Sequence, residues 1–211
     1  MKIIVGMATF KGREDSCKKA IDSLLHQCDE IVLYDNERNP NLTDNGKFYG
    51  LKDLKEPVYY FTCDDDLFYP SNYIAQMITA IETHKCIVTH HGRKLVGLNV
   101  SYYRGHKSYR CLDDSRATDK IDVPGTGVTG FSTEYFHPKN LHESEYQKMS
   151  DLVLGLEAAK QQKKIMILPH LKGWIKQLPI DAKTAIFNTM VKSQDRNIQI
   201  ANEIYTLNNG R

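Results

Sequence analysis

Three short apolar runs, each stopped by polar residues, constrain the fold of this chain more than any other feature. They span Lys2–Ala8, Glu30–Tyr34 and Pro57–Thr62. Because β-branched and aromatic residues favour extended backbone, we interpret each run as a strand. Apolar residues at helical spacing follow the first run over 14–28, and strands that alternate with helices predict an α/β domain. In such sheets ligands bind beyond the carboxyl ends of the strands, so the polar residues there are expected to share one crevice.

The same alternation continues along the chain and predicts a mixed, mainly parallel central sheet with flanking helices. The further predicted elements are strands at Cys86–Thr89 and Ile165–Leu168, a helix that begins at 69–72, a helix at Ser150–Gln162, and one or two helices within Asp181–Leu207, with a break near Ser193.

Three segments lack clean periodicity. Glu37–Gly46 is polar and rich in turn residues, which predicts a mobile loop. Asn99–Arg116 interleaves tyrosines with cations and is interpreted as an irregular or hairpin excursion on the surface; nucleic-acid contact and a sugar-binding or exposed loop are both open for it. Pro124–Gly130 is rich in glycine but lacks the Walker and dinucleotide patterns, so it is either a loop that faces a sugar or acceptor, or a tight structural turn.

Composition narrows the class of protein. The 211 residues suit one domain, and 28 basic against 26 acidic residues leave a net charge of +2, unlike a dedicated DNA-binding domain. No apolar stretch approaches the roughly 20 residues of a membrane span, and the charged run Lys11–Asp15 argues against a signal peptide. Five scattered cysteines without C-x-x-C spacing favour a reducing cytoplasm.

The strongest chemical signal is the aspartate triplet Asp64-Asp65-Asp66, directly after the third strand. Adjacent carboxylates repel one another, and a divalent cation would relieve that repulsion. Magnesium or manganese held by carboxylates completes its shell with water and phosphate oxygens, so the triplet predicts a site for a diphosphate. A solvated acidic turn or a helix N-terminus is the alternative interpretation.

The motifs at the strand ends resemble those of GT-A-type glycosyltransferases of the family-2-like kind, in the compact form found in bacteriophages and bacteria. The motifs are Ile3–Arg13, Ile31–Asn36, Phe61–Pro70 and Ser150–Leu152, and the resemblance covers the first 90 residues well and the rest loosely. It implies a single GT-A-like domain over 1–211, with a nucleotide-binding half at 1–90, an acceptor and catalytic half at 91–180, and C-terminal helices at 181–211. Two departures are Ala8-Thr9-Phe10 in place of a proline-containing turn and Tyr34-Asp35-Asn36 in place of Asp-Gly-Ser.

The resemblance also implies roles for individual residues. The implied donor-binding residues are Thr9, Phe10, Arg13, Asp35, Asp64, Asp65, Lys172 and Trp174, and the implied ligands of Mn²⁺ or Mg²⁺ are Asp64, Asp66 and His170. Asp151 is the implied general base, because a base must lie within hydrogen-bond reach of the acceptor hydroxyl. Simpler roles stay open for four of them: a turn for Asp35, a helix cap for Asp151, packing for His170 and the core for Trp174.

Together these features predict a metal-dependent glycosyltransferase that moves a sugar from a nucleoside-diphosphate sugar, most simply a UDP-sugar, to an acceptor hydroxyl. The acceptor is not defined by the sequence, and a hydroxylated base in phage DNA is one candidate, which would place the protein in the host cytoplasm. One alternative is a sugar-phosphate nucleotidyltransferase, although Lys11-Gly12-Arg13 is a poor match to the glycine-rich loop of those enzymes. A non-catalytic nucleotide-sugar-binding module of the same fold is the other.

Overall fold

A seven-stranded sheet forms the centre of the computed structural model, which describes residues 1–116, 118–180 and 194–210. The strands of the described chain are β1 (Lys2–Thr9), β2 (Glu30–Asp35), β3 (Val58–Asp64), β4 (Leu67–Phe68), β5 (Ile87–Thr89), β6 (Gly92–Lys94), β7 (Lys107–Tyr109), β8 (Lys120–Ile121), β9 (Val123–Pro124), β10 (Val128–Ser132), β11 (Ile165–Ile167) and β12 (Lys176–Gln177). The order in the central sheet is β2-β1-β3-β10-β5-β11-β8, while β12 pairs with β4, and β7, β6 and β9 form a third sheet.

Most strands of the central sheet run in one direction. β1 is parallel to β2 and β3, and β5 is parallel to β11. β10 lies antiparallel between β3 and β5, and β8 is antiparallel to β11 at the edge. The predicted mixed, mainly parallel sheet is therefore confirmed. Strand β10 was not predicted, because it begins within the glycine-rich segment 124–130.

Helices cover both faces of the sheet. They are α1 (Glu14–Leu24), α2 (Tyr73–His84), α3 (Ser150–Lys160) and α4 (Gln194–Asn209), with 3₁₀ turns at Thr43–Leu51 and Leu141–Glu143. None of the helices in the described part of the chain is long and apolar enough to cross a membrane. The predicted C-terminal helices are represented by α4, whereas 181–193, with the expected break near Ser193, lies outside the described residues.

The period-2 alternation of the strands assigns the two faces. Val5 and Met7 of β1 point into a core shared with α1 and α2, whereas Ile4 points to the opposite core, which contains Phe48 and residues of α3. A third cluster packs α4 onto α3 and includes Tyr102 from the excursion at 99–116. Burial on both faces leaves the strand ends as the place for polar chemistry.

Two segments differ from their prediction. The predicted mobile loop at Glu37–Gly46 runs into the 3₁₀ turn at Thr43–Leu51, whose first residues pack against the body of the protein; the Asn36 side chain donates to the Thr43 carbonyl and accepts from the Leu42 N–H. The excursion at Asn99–Arg116 is likewise not a purely surface loop, because Tyr102 and Tyr109 are buried. In both cases apolar or amide side chains anchor a polar segment, and a turn-rich composition does not reveal such anchors.

Candidate active site

A cleft of about 530 Å³ opens where β3 ends and where α3 begins. Its lining includes the carboxylates of Asp64, Asp66 and Asp151, together with Arg13 and Lys47. The elements bring these groups together from positions far apart in the sequence, because parallel strands β1 and β3 end at the same edge of the sheet. The triplet thus lines a cleft at the strand ends, but the predicted single crevice is divided, because Thr9 and Asp35 line a second hollow.

Asp65 is the buried anchor of this edge. Its side chain is 2% exposed, and its two oxygens accept hydrogen bonds from the Thr9 hydroxyl at 2.8 Å and from the Arg13 guanidinium at 2.6 Å. Burial raises the pKa of this carboxyl, and Arg13 acts in the opposite direction by favouring the charged form. With both oxygens bonded inside the protein, Asp65 ties the end of β1 to the turn after β3, which differs from the expected contact with a ribose or sugar.

Asp64 lies toward the cleft and pairs with a lysine. The buried Lys47 ammonium is 2.5 Å from one Asp64 oxygen and 3.4 Å from the Thr126 hydroxyl. Burial lowers the pKa of Lys47, but Asp64 and Asp44 raise it more, so the ammonium stays charged. A Cβ on Gly127 would lie 2.0 Å from an Asp64 carboxylate oxygen, so any other residue there would force this carboxylate to move.

Asp66 carries the least compensated charge of the triplet. Its nearest cation is Arg13, at 3.5 Å. Burial, followed by the charges of Asp64 and Asp65, raises the pKa of Asp66 to about 6. The cations of the protein thus neutralise much of the negative charge of the triplet. The remaining negative charge lies mainly on Asp66, where a bound cation would neutralise it.

The carboxylates of the cleft fit a metal ion whose remaining ligands come from elsewhere. Within the described ranges, no three His, Cys, Asp or Glu side chains converge as metal ligands. Asp64 and Asp66 still supply two carboxylates on one cleft wall, and Mg²⁺ is commonly held by one or two carboxylates plus water and substrate phosphate oxygens. These residues therefore fit a site that a substrate diphosphate would complete, and they do not form a self-sufficient protein cage.

His170 is held in the interior, where it does not join the two aspartates in a metal-ligating group. Backbone hydrogen bonds in both directions with Ser115 fix its position, and its ring contacts His90 and the Arg110 carbonyl. Trp174 packs against His90, with ring centroids 4.8 Å apart, so it belongs to the core. Lys172 lies in an exposed loop, where its N–H donates to Asp114. The three late residues implied by the resemblance are therefore absent from the lining of the cleft.

The buried side chain of His90 should make the stability of the fold depend on pH. Burial, and next the neighbouring His170, lowers the pKa of His90 to about 3. Below about pH 6.5 the His90 imidazole binds a proton in the unfolded chain but not in the folded protein, so the free energy of unfolding decreases as pH falls. We expect the unfolding free energy of the wild type to drop about 2 kcal/mol more than that of His90→Phe between about pH 6.5 and pH 4.5 in urea titrations. Parallel pH profiles of the two proteins would contradict it.

Asp151 lies in the first turn of α3 and lines the cleft. One of its oxygens accepts from both the N–H and the hydroxyl of Thr126, each at 2.8 Å. The capping contact at this helix end comes instead from Asp44, which accepts from the N–H and the hydroxyl of Ser150 at 3.0 and 2.7 Å. Asp151 is therefore not the helix cap, and its second oxygen is not used by any hydrogen bond to the described residues.

A second hollow of about 550 Å³ lies beside α1 at the ends of β1 and β2 and is lined by Thr9, Phe10 and Asp35. Asp35 also shapes its own turn, since it accepts from the Glu37 N–H at 2.9 Å and pairs with Arg38 at 3.2 Å. The two hollows are neighbours, because Thr9 lines one, Arg13 lines the other, and both bind Asp65. Of the implied donor residues, five are thus brought around this pair of hollows, while Asp65 lies buried between them.

Sequence reasoning missed several polar residues of the cleft. Lys47 and Asp44 lie in or beside the segment predicted as a mobile loop, and only the apolar residues Phe48 and Leu51 could have signalled that it folds inward. Arg93 comes from β6, and Asn197 comes from α4. No local pattern marks these two residues, because their place in the cleft depends on long-range packing.

Comparison with known proteins does not identify a family. No family model matches the chain, and no curated protein matches it. Among solved structures, the crystal structure of A197 from STIV is similar at a TM-score of 0.44 and 13% sequence identity, over 86% of this chain and 87% of that chain. This similarity is too low to carry an argument about function, so the site has to be interpreted from its own geometry.

Proposed function

We propose that this protein transfers a sugar from a nucleoside-diphosphate sugar to an acceptor hydroxyl, with a divalent metal bound at Asp64 and Asp66. The observation that carries the proposal is the pair of neighbouring hollows at the strand ends. One is lined by Phe10 and Asp35, and the other by the carboxylates of the cleft. A nucleoside in the first hollow would place its diphosphate near Arg13 and the metal held by Asp64 and Asp66, and its sugar near Asp151.

The nucleoside side combines an apolar wall with polar groups. Phe10 offers a ring face, and the Arg13 guanidinium carbon lies 5.8 Å from the centre of that ring. Asp35 carries a carboxylate that could accept from a base N–H while it keeps its own turn. Apolar surface with a few orienting polar groups is the usual composition of a small-molecule site.

The cleft side supplies electrostatics for a leaving diphosphate. A metal held by Asp64 and Asp66 would neutralise charge that develops on the leaving phosphate oxygen. Arg13 and Lys47 add fixed positive charge from the protein, and neither has to reorganise during reaction because their carboxylate pairs already hold them.

Asp151 is positioned to receive a proton. Thr126 fixes one carboxylate oxygen, so the other can accept the proton of an acceptor hydroxyl. As that proton leaves, the hydroxyl oxygen forms a bond to the anomeric carbon, and the bond from this carbon to the diphosphate oxygen breaks. This single displacement inverts the configuration of the sugar.

The test of the proposal is Asp66→Asn. The substitution keeps the size of the side chain but removes the charge that a metal would need, so we expect Mn²⁺-dependent affinity for UDP to fall about 10- to 100-fold. Isothermal titration calorimetry with UDP, with and without Mn²⁺, measures the change. Asp22→Asn is the matched control, because Asp22 is exposed on α1 and, within the described part of the chain, forms an ion pair with Lys18 alone. Unchanged Mn²⁺-dependent affinity in Asp66→Asn would rule out the metal assignment.

The alternatives predict different products. A nucleotidyltransferase would form a nucleotide sugar from a sugar phosphate and a nucleoside triphosphate with release of pyrophosphate, whereas a glycosyltransferase releases UDP from the sugar donor. A binding module would bind UDP-glucose in the presence of Mn²⁺ and release nothing. Chromatography of the nucleotide products after incubation with each substrate separates the three.

A further inference from the structure

The strongest feature that the proposed function leaves unused is a set of cations in the lining of the cleft. Arg93, Arg110 and Lys148 line it together with Asn197, and we call these four residues the basic wall. Among the described residues, no carboxylate forms an ion pair with any of the three cations. The triplet side of the cleft is different, because there Arg13 and Lys47 are already paired with aspartates.

Arg93 is held in place by aromatic contacts that leave part of its guanidinium unused. The Arg93 guanidinium carbon lies 4.4 Å from the centre of the Tyr102 ring, and a guanidinium N–H donates a hydrogen bond to the Tyr102 hydroxyl at 3.1 Å. Its buried Nε atom has no hydrogen-bond partner among the described residues. A buried donor without a partner costs free energy, and a bound acceptor atom would remove that cost.

Asn197 provides a second, independent observation. Its side chain is 1% exposed, and its amide nitrogen donates to the Tyr103 hydroxyl at 3.2 Å. The amide oxygen is buried without a hydrogen-bond partner among the described residues. This oxygen can only accept, so a ligand that satisfies it must carry a hydroxyl or an N–H.

The two observations define the chemistry of a ligand. Three cations without carboxylate partners favour a phosphate over a carboxylate, since a phosphate monoester carries up to two negative charges and three acceptor oxygens. The cleft also contains neutral His91, whose pKa is lowered by burial and by the charges of Arg93 and Arg110 among others, so it does not add to the positive charge. The orphaned Asn197 oxygen adds the requirement for a hydroxyl.

We propose that the basic wall is the acceptor subsite and that the acceptor is a small phosphorylated polyol, with its phosphate on Arg93, Arg110 and Lys148 and a hydroxyl near Asn197. The role of this ligand as the acceptor rests on the proposed function, whereas its binding to the basic wall does not. A cleft of about 530 Å³ has the size of small-molecule sites, which favours a small phosphorylated compound over a polynucleotide.

The test uses glycerol 3-phosphate as the probe, titrated into the full chain without any donor. We expect the wild type to bind it more tightly than glycerol or inorganic phosphate, and Arg110→Gln to weaken binding about 10-fold. Arg110 is exposed, so its substitution should disturb folding less than substitution of the half-buried Arg93. Lys94→Gln is the matched control: it removes one exposed charge from β6 outside the cleft and should leave binding unchanged.

Asn197→Leu tests the hydroxyl contact. It should abolish the preference for glycerol 3-phosphate over inorganic phosphate and leave phosphate affinity intact. Three results would overturn the proposal: no binding of glycerol 3-phosphate by the wild type, equal losses in Arg110→Gln and Lys94→Gln, or tighter binding of a single-stranded oligonucleotide that depends on Arg110.

A last arm separates this inference from the donor assignment. Saturating UDP and Mn²⁺ should leave glycerol 3-phosphate binding in place; complete displacement would mean that the basic wall holds the donor diphosphate, which overturns the acceptor subsite. If Asp66→Asn leaves Mn²⁺-dependent UDP binding unchanged while Arg110→Gln loses glycerol 3-phosphate, then the phosphate subsite stands and the metal assignment of the proposed function fails.

Discussion

Asp151→Asn should lower kcat by about two to four orders of magnitude and leave donor affinity nearly unchanged. The amide can still accept from the Thr126 N–H and hydroxyl with its oxygen, so the geometry of the side chain is kept. What it loses is the second carboxylate oxygen, and an amide nitrogen cannot take a proton from the acceptor hydroxyl. The measurement is UDP release from UDP-glucose at saturating donor and acceptor, with titration calorimetry of UDP as the check on donor binding.

The control for this prediction is Glu157→Gln, the same change of carboxylate to amide on the same helix but outside the cleft. Its kcat should match the wild type. Thr126→Val gives a graded comparison, because it removes the hydroxyl contact to Asp151 and keeps the backbone N–H, so we expect a smaller loss than in Asp151→Asn. A near-normal kcat in Asp151→Asn would show that the protein supplies its base elsewhere or uses a mechanism without one.

Arg13→Met should destabilise the fold by about 3–5 kcal/mol, because it removes the cation that compensates a buried carboxylate. Asp65 is 2% exposed, and without Arg13 its remaining partner in this contact is the Thr9 hydroxyl. Burial already raises the pKa of Asp65, and loss of the guanidinium would raise that pKa further. Urea unfolding at neutral pH, followed by circular dichroism, measures the free energy.

Two further variants make this prediction specific to the buried pair. Arg104→Met removes an exposed arginine and should change the unfolding free energy by less than about 0.5 kcal/mol. Adding Asp65→Asn to Arg13→Met removes the stranded charge and should restore part of the lost stability. A loss below about 1 kcal/mol in Arg13→Met, or no recovery in the double variant, would show that water or another cation compensates Asp65.

Several parts of the candidate site follow from sequence because they lie at strand ends. Asp64 ends β3, Asp66 follows in the next turn, and Asp35 ends β2, so a correct prediction of the strands places all three at one edge of the sheet. Helical periodicity located the start of α3 correctly, and the resemblance to glycosyltransferases is what implies a role for Asp151 there. In each case a local pattern of apolar residues sets the element, and the topology of a parallel sheet sets the place of its end.

The partners of these carboxylates do not follow from sequence. Lys47 reaches Asp64 from a 3₁₀ turn, and the order of roles within the triplet is likewise set by packing: Asp65 points inward, while Asp64 and Asp66 line the cleft. A run of three identical residues carries no information about which side chain faces the core. The pattern of strand β3 ends before the triplet, so its alternation cannot be extended through the turn.

The place of His170 likewise depends on contacts distant in sequence. The resemblance implies a metal ligand, whereas the paired backbone hydrogen bonds with Ser115 hold it in the interior beside His90. Other residues of the cleft come from segments that are distant in sequence. Asn197, for example, lies on α4, which packs on α3.

The sequence by itself determined the α/β class, the principal strands and helices, and the edge of the sheet where the carboxylates gather, because these depend on short-range periodicity and on the direction of parallel strands. Only the tertiary structure decided which carboxylates are neutralised, which one is buried and which cations of the cleft have no carboxylate partner among the described residues. Burial and charge pairing depend on side chains that come from distant segments, and their energies are set by distances of a few ångströms that no local pattern encodes.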